Sequence, residues 1–178
     1  LHHSFAALVV LMIAGCTTTP PVIVRASLPA GSEVAVIMFR DCTIRGQEDC
    51  DESGLTAGSV FARVFSEEQG LRSVPLSRPV GPKDQLDDGA AVAYAKSKGY
   101  RYVINGEVED YYRVAPMTFR TERAGVSVRL LSTADGQILA FFSDRTHSQT
   151  NLTTPDALLR KMAIAFRQSV LPSQTASR

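Results

Sequence analysis

Glu107 and Glu109 stand two residues apart in Tyr100–Tyr112, a stretch that reads as a strand, so Glu107, Glu109 and Tyr111 are expected on one face. Two neighbouring carboxylates can move a proton or hold a cation. On a solvated sheet face, with Arg101 and Arg129 as cross-strand partners, the same pair is purely structural, and that reading is preferred. The second set is Asp144, His147 and Ser148. A catalytic triad needs an imidazole beside a nucleophile and an acid. On a strand, 144 and 148 share a face that excludes 147, so a surface histidine is preferred. The glycines form neither GxxxxGK[ST] nor GxGxxG, so there is no phosphate loop. The chain is expected not to be an enzyme, and to bind neither a metal nor a dissociable cofactor.

The third chemical feature is Cys16. It ends Ile13-Ala14-Gly15-Cys16, follows an apolar run from Phe5 to Ile13, and precedes the polar stretch Thr17-Thr18-Thr19-Pro20-Pro21. The run is shorter than the roughly 20 residues a membrane span needs, but has the length of a signal-peptide core. The pattern resembles the lipobox of bacterial lipoproteins. The alternative is a buried apolar segment with an ordinary core cysteine. The resemblance implies cleavage before Cys16, a covalent lipid on its thiol and an acylated new terminus. Several acyl chains, at ~0.8 kcal/mol per buried CH₂, hold a protein stably on a membrane. Thr17, where Asp would resemble an inner-membrane retention signal, favours the periplasmic face of the outer membrane. Leu1-His2-His3-Ser4 lacks the usual positive start, and a truncated or misassigned start is expected.

Without its first 15 residues the chain keeps about 160, enough for one domain with a core of its own. Its 19 Lys and Arg nearly balance 18 Asp and Glu, so nothing electrostatic points to nucleic acid. The absence of Trp excludes a Trp-lined sugar platform. In an oxidising periplasm a Cys42–Cys50 disulfide is the default expectation, worth roughly 2.5 kcal/mol by loop entropy. Free thiols, or a metal or redox pair, are the alternatives. The spacing is not CxxC, and His147 is far along the chain.

The elements that would position these groups follow from periodicity. Thr17–Ser32 reads as a tether reaching about 50 Å, with Val22-Ile23-Val24 as a candidate extra strand. Glu33–Phe39 is a continuous apolar run, as in a strand covered on both faces. Between Asp51 and Gln69, Leu55, Val60, Phe61, Val64 and Phe65 recur at helical spacing before Gly70. Leu71–Leu76 is a short strand. Asp87 or Asp88 caps a helix over Gly89–Lys98, with Ala91, Val92 and Ala95 inward and Gly99 ending it. Tyr100–Tyr112 and Gly125–Ser132 are strands. Asp135-Gly136 turns the chain back into Ile138–Thr146. Thr154-Pro155-Asp156 starts a helix that buries Leu158, Leu159, Met162, Phe166 and Val170 and stops before Pro172. The expected class is α/β (α+β), with element order β-α-β-α-β-β-β-α, one mixed sheet and helices mainly on one face. The expected division is signal peptide 1–15, lipidated cysteine and tether 16–32, domain 33–172 and tail 173–178.

Two runs carry a family resemblance. Ala93-Tyr94-Ala95-Lys96-Ser97-Lys98-Gly99-Tyr100-Arg101-Tyr102-Val103-Ile104-Asn105-Gly106-Glu107-Val108 resembles the helix–Gly–strand–Gly element of a periplasmic α/β superfamily. Val126–Leu139 resembles the strand–turn–strand of the same group, which includes the TolB amino-terminal domain, CsgG and PelC. Gly99 also has a plain role as helix stop, and Gly106 as a strand site of close backbone approach. No pair of long amphipathic hairpins is evident, so a pore is not expected. The resemblance implies an outer-membrane lipoprotein that assists export or envelope assembly, with an envelope protein or further copies of itself as partner. Tyr111, Tyr112, Arg113, Met117 and Phe119, in one connecting segment, are the candidate partner contacts, since aromatic and Arg side chains anchor interfaces. The alternative is a monomeric module that binds a glycan or small ligand through that segment.

Overall fold

The run after Glu33 forms the centre of the parallel half of the sheet in a computed structural model that describes residues 22–68, 71–113, 121–148 and 153–171. Cys16, Met117, Phe119, Gly70, Pro172 and the tail lie outside the described residues. The strands are β1 (Val22–Val24), β2 (Glu33–Ile37), β3 (Arg72–Leu76), β4 (Tyr102–Tyr112), β5 (Arg123–Ser132) and β6 (Ile138–His147). The helices are α1 (Ser53–Ser66), α2 (Asp88–Ser97) and α3 (Pro155–Val170). All six strands form one mixed sheet in the order β1-β6-β5-β4-β2-β3. The expected fold class holds, with one strand more at the start than the expected order.

β2 is buried on both faces because helices cover both. Val34 and Val36 join the cluster under α1 and α3, while Ala35 and Ile37 join the smaller cluster under α2. β2 pairs in parallel with β3 and with β4. From β2 the chain steps outward through α1 to β3, then returns past β2 through α2 to β4. A right-handed crossover in each direction puts the two helices on opposite faces. β4, β5 and β6 then form the expected antiparallel meander.

The larger core is held by aromatic contacts that join its layers. Phe39 meets Phe61 at 5.0 Å between ring centroids, and Phe166 meets Phe65 at 6.0 Å and Phe142 at 5.7 Å. Each such side chain contributes about 1.5–3 kcal/mol by burial. Thr154 caps α3 by accepting from Ala157 N–H at 3.3 Å, Pro155 occupies its first position, and all five expected apolar residues are buried. Asp87 caps α2 in the same way, from Ala90 N–H at 2.9 Å, and Gly99 leaves that helix at φ +87°.

Three local expectations change. First, residues 22–32 do not simply tether. β1 pairs antiparallel with β6, and Leu28 is buried with its N–H donating to Val170 C=O at 2.8 Å. Val22 packs against the larger core and Leu28 lies within it, whereas Ile23 and Val24 stay exposed. Second, β4 is not regular: its register against β5 shifts between Val108 and Asp110. One extra residue reverses the inward–outward alternation beyond it. Tyr111 therefore joins Val108 in the larger core instead of sharing a face with Glu107. Third, a side chain at Gly106 would collide with the Phe39 ring at 2.9 Å, so this glycine makes room for an aromatic ring and not for a backbone.

Candidate functional site

The adjacent carboxyl ends of β2 and β3 send their connections to opposite faces of the sheet. Such a switch point opens a crevice in α/β sheets. Here it measures about 660 Å³ and is lined by Met38 and Phe39 beyond β2, Leu55 in the first turn of α1, and Ser77, Arg78, Val80 and Pro82 beyond β3. Leu55 and Val80 are 53% and 37% exposed, so both walls offer apolar surface.

The walls are held by spacing and capping that the sequence encodes locally. Gly54 and Gly58, one helical turn apart, let α1 lie against the chain leaving β2. A Cβ at 54 would sit 2.1 Å from Phe39 O, and one at 58 would sit 2.9 Å from Met38 Cα. The start of α1 has no cap of its own: Glu52 sits in the left-handed region at φ +63° without a side-chain cap bond. Asp41 serves instead, accepting from Glu52 N–H at 3.1 Å and Gly54 N–H at 2.7 Å. A disulfide joins Cys42 to Cys50, with Cα atoms 5.0 Å apart, as the preferred reading expected. Ser53 Oγ ties that loop to the helix, donating to Cys50 C=O at 2.7 Å and accepting from Cys42 N–H at 3.1 Å.

The charged rim is committed to structure. Arg78 donates to the carbonyls of Met38, Gly81 and Asp84 at 3.3, 3.3 and 2.6 Å. Burial, followed by the nearby Arg40 charge, lowers its pKa below the usual guanidinium value. Lys83 pairs with Asp51 at 2.6 Å on the surface, and that carboxylate raises the pKa of the ammonium. Beside the exposed Glu52, what remains available in the crevice is apolar wall. It suits docking of an apolar side chain or ligand, and it contains no nucleophile–base pair.

The acidic pair is separated. Glu107 lies between Arg40, which bonds it directly, and Arg129 at 3.7 Å, and Arg129 also approaches Asp88 at 3.6 Å. Glu109, at the bulge, approaches Arg145 instead, at 3.7 Å. Arg129 is thus the cross-strand partner that was expected. Arg101 is not, and Arg40, from the loop after β2, takes that place. Asp144, His147 and Ser148 line a second cleft of about 630 Å³ between β6 and α3, beside Lys161 and Met162. Among the described residues no hydrogen bond links the three, and Ser148 Oγ accepts from Glu122 N–H at 3.2 Å. Burial raises the Asp144 pKa.

The expected partner segment divides. Tyr111 is 5% exposed, and its hydroxyl donates to Asp156 at 2.5 Å while accepting from Arg113 at 3.1 Å. Burial first, then Asp156, raises its pKa to about 12. Its carbonyl accepts from the Gln47 side chain, and Arg113 N–H donates to Asp49 at 3.2 Å, so this corner also fastens the disulfide loop. Tyr112 is half-buried under the Arg123 guanidinium, 4.9 Å from its ring centroid. The crevice residues Met38, Leu55, Arg78 and Val80 were not among the sequence candidates. The one local signal for them was Gly54 and Gly58 flanking Leu55.

Comparison with solved structures reveals the same architecture in PelC from Paraburkholderia phytofirmans. A PelC dodecamer carrying a single leucine-to-methionine substitution superposes with a TM-score of 0.66 at 16% identity, over 86% of this chain and 99% of that one. The fold is PelC-like. A second PelC dodecamer, in another crystal form, gives a TM-score of 0.60 at 19% identity over 87% of this chain and 99% of that one. The lipoprotein GNA1162 from Neisseria meningitidis is more distant, with a TM-score of 0.47 at 14% identity over 78% of this chain and 97% of that one. No protein-family model matches the sequence, and no curated protein matches it in sequence. At these identities the PelC-like architecture is what is shared. Among the described residues, no helix of this PelC-like domain is long and apolar enough to cross a membrane.

Proposed function

We propose that this protein is a lipoprotein anchored through Cys16 to the periplasmic face of the outer membrane, where it acts without catalysis as a scaffold or accessory factor in envelope assembly or export. It works as a homo-oligomer or with an envelope protein, not with nucleic acid. Its one non-protein group is the covalent lipid on Cys16. The observation that carries this reading is the PelC-like fold across nearly the whole described domain, because the PelC structures it matches are dodecamers. The lipobox-like Ile13-Ala14-Gly15-Cys16 supplies the anchor. The commitment of Glu107, Asp41 and Ser148 to structural bonds supports a role without catalysis. Tyr112, Arg113, Met117 and Phe119 remain candidate partner contacts, whereas Tyr111 is buried and bonded to Asp156.

Light scattering after size-exclusion chromatography of the fragment from Thr17 to Arg178 tests the assembly. A discrete multimer is expected, and a monomer at every concentration refutes self-assembly.

The second reading is a monomeric ligand-binding module. The crevice favours it, since about 660 Å³ falls within the range of small-molecule sites. Its apolar walls suit an apolar ligand better than a glycan. A monomeric fragment that retains an apolar fluorescent probe, and loses it on Leu55→Asp, would favour this reading.

A further inference from the structure

The tether to the membrane is much shorter than the sequence suggested. β1 begins at Val22, so only residues 17–21 separate Cys16 from the sheet. Whatever their conformation, six Cα steps of at most ~3.6 Å keep Val22 within about 22 Å of the lipidated cysteine. β1 is one edge of the sheet and β3 is the other. Five strand spacings of ~4.8 Å place β3 about 24 Å from β1. A tether of that length keeps the start of β1 beside the bilayer.

The edge it does hold at the bilayer has a fitting surface. Ile23 is 57% exposed and Val24 39% exposed. Ile23 lies opposite the half-buried Phe141 of β6. Arg25 follows, exposed and without an ion pair among the described residues. Apolar side chains beside an exposed cation suit the boundary between acyl chains and anionic headgroups. We propose that the β1 edge (Ile23, Val24 and Arg25) rests on the lipid surface. This rests on the Cys16 anchor.

The chain contains no Trp, so single substitutions report on one site each. Full-length lipidated protein carrying Ile23→Trp or Val24→Trp is reconstituted in phosphatidylethanolamine–phosphatidylglycerol vesicles with brominated acyl chains. Emission at 23 and 24 is expected to fall about two-fold or more relative to unbrominated vesicles, because interfacial side chains reach the acyl boundary. Unquenched emission at both β1 positions, with the protein still in the vesicle fraction, overturns the proposal. Blue-shifted emission there without quenching also overturns it, and indicates another protein copy over the edge. Protein left in the supernatant, with no diacylglycerol mass on Cys16, overturns the anchor reading itself and this inference with it.

Discussion

The Tyr111 hydroxyl donates a 2.5 Å hydrogen bond to Asp156, joining β4 beyond its bulge to the first turn of α3. Arg113 reaches both groups, at 3.1 Å to the hydroxyl and 3.6 Å to the carboxylate. This corner and the crevice at the ends of β2 and β3 share one neighbour, the disulfide loop. Tyr111→Phe keeps the ring in the core and removes the bond. A hydrogen bond to a charged group contributes about 1.5–3 kcal/mol, so urea unfolding of Tyr111→Phe should show a loss in that range.

The same tyrosine predicts alkaline behaviour. Its pKa is raised to about 12 in the folded protein, from an ordinary value near 10. A raised pKa means that the folded state holds the proton when the unfolded state has released it. The stabilisation is therefore full below about pH 10 and is lost as pH rises toward 12. Chemical unfolding between pH 9 and about 12 should show a decline that Tyr111→Phe lacks.

Gly54→Ala is expected to be the most damaging single-methyl change. Its Cβ would sit 2.1 Å from the backbone oxygen of Phe39, and backbone cannot swing aside. Overpacking typically costs 1–3 kcal/mol, and this site should cost about 3 kcal/mol or more. Thermal unfolding monitored by circular dichroism would read it, and a loss below about 1 kcal/mol would mean that α1 shifts freely, against the packing described.

Replacing Cys42 and Cys50 together by Ser should cost roughly 2.5 kcal/mol through the unfolded chain. Because Ser53 and Asp41 still hold the start of α1, the folded state should persist. Matching denaturation midpoints for the variant and the parent protein would contradict this.

Surface changes at the crevice should separate stability from association. Leu55→Asp and Val80→Asp alter exposed side chains, so their effect on stability should stay within about 0.5 kcal/mol. Loss of a partner, a ligand or self-association without loss of stability identifies the crevice as a working surface. Lys83→Ala, which removes an exposed ion pair, should leave the denaturation midpoint essentially unchanged.

How much was legible in the sequence varied with the range of the interaction. Thr154-Pro155-Asp156 and Asp87 announced their helices because a cap and its N–H partner lie within three residues. Asp135-Gly136 announced its turn because φ is positive at Gly136. The continuous apolar run of β2 announced its two-sided burial. The pairing of Cys42 with Cys50 followed from compartment and proximity, although the bond itself was seen only in the structure. The bulge after Val108 could not be read, since nothing in the local alternation records which partner residue is skipped. It decided that Tyr111 is a core strut and that Glu107 and Glu109 go to different arginines.

The sequence by itself determined the elements from β2 onward, their order, the ends of α2, the start of α3 and the preferred cysteine pairing, because these depend on short-range periodicity, capping, turn chemistry and proximity along the chain. Only the tertiary structure decided that Val22–Val24 closes the edge beside β6, which shortens the reach from Cys16. It alone decided that the loops after β2 and β3 diverge into a crevice walled by Leu55 and Val80. Both outcomes depend on which strands become neighbours, and that is set by packing across the whole sheet and not by any local stretch of chain.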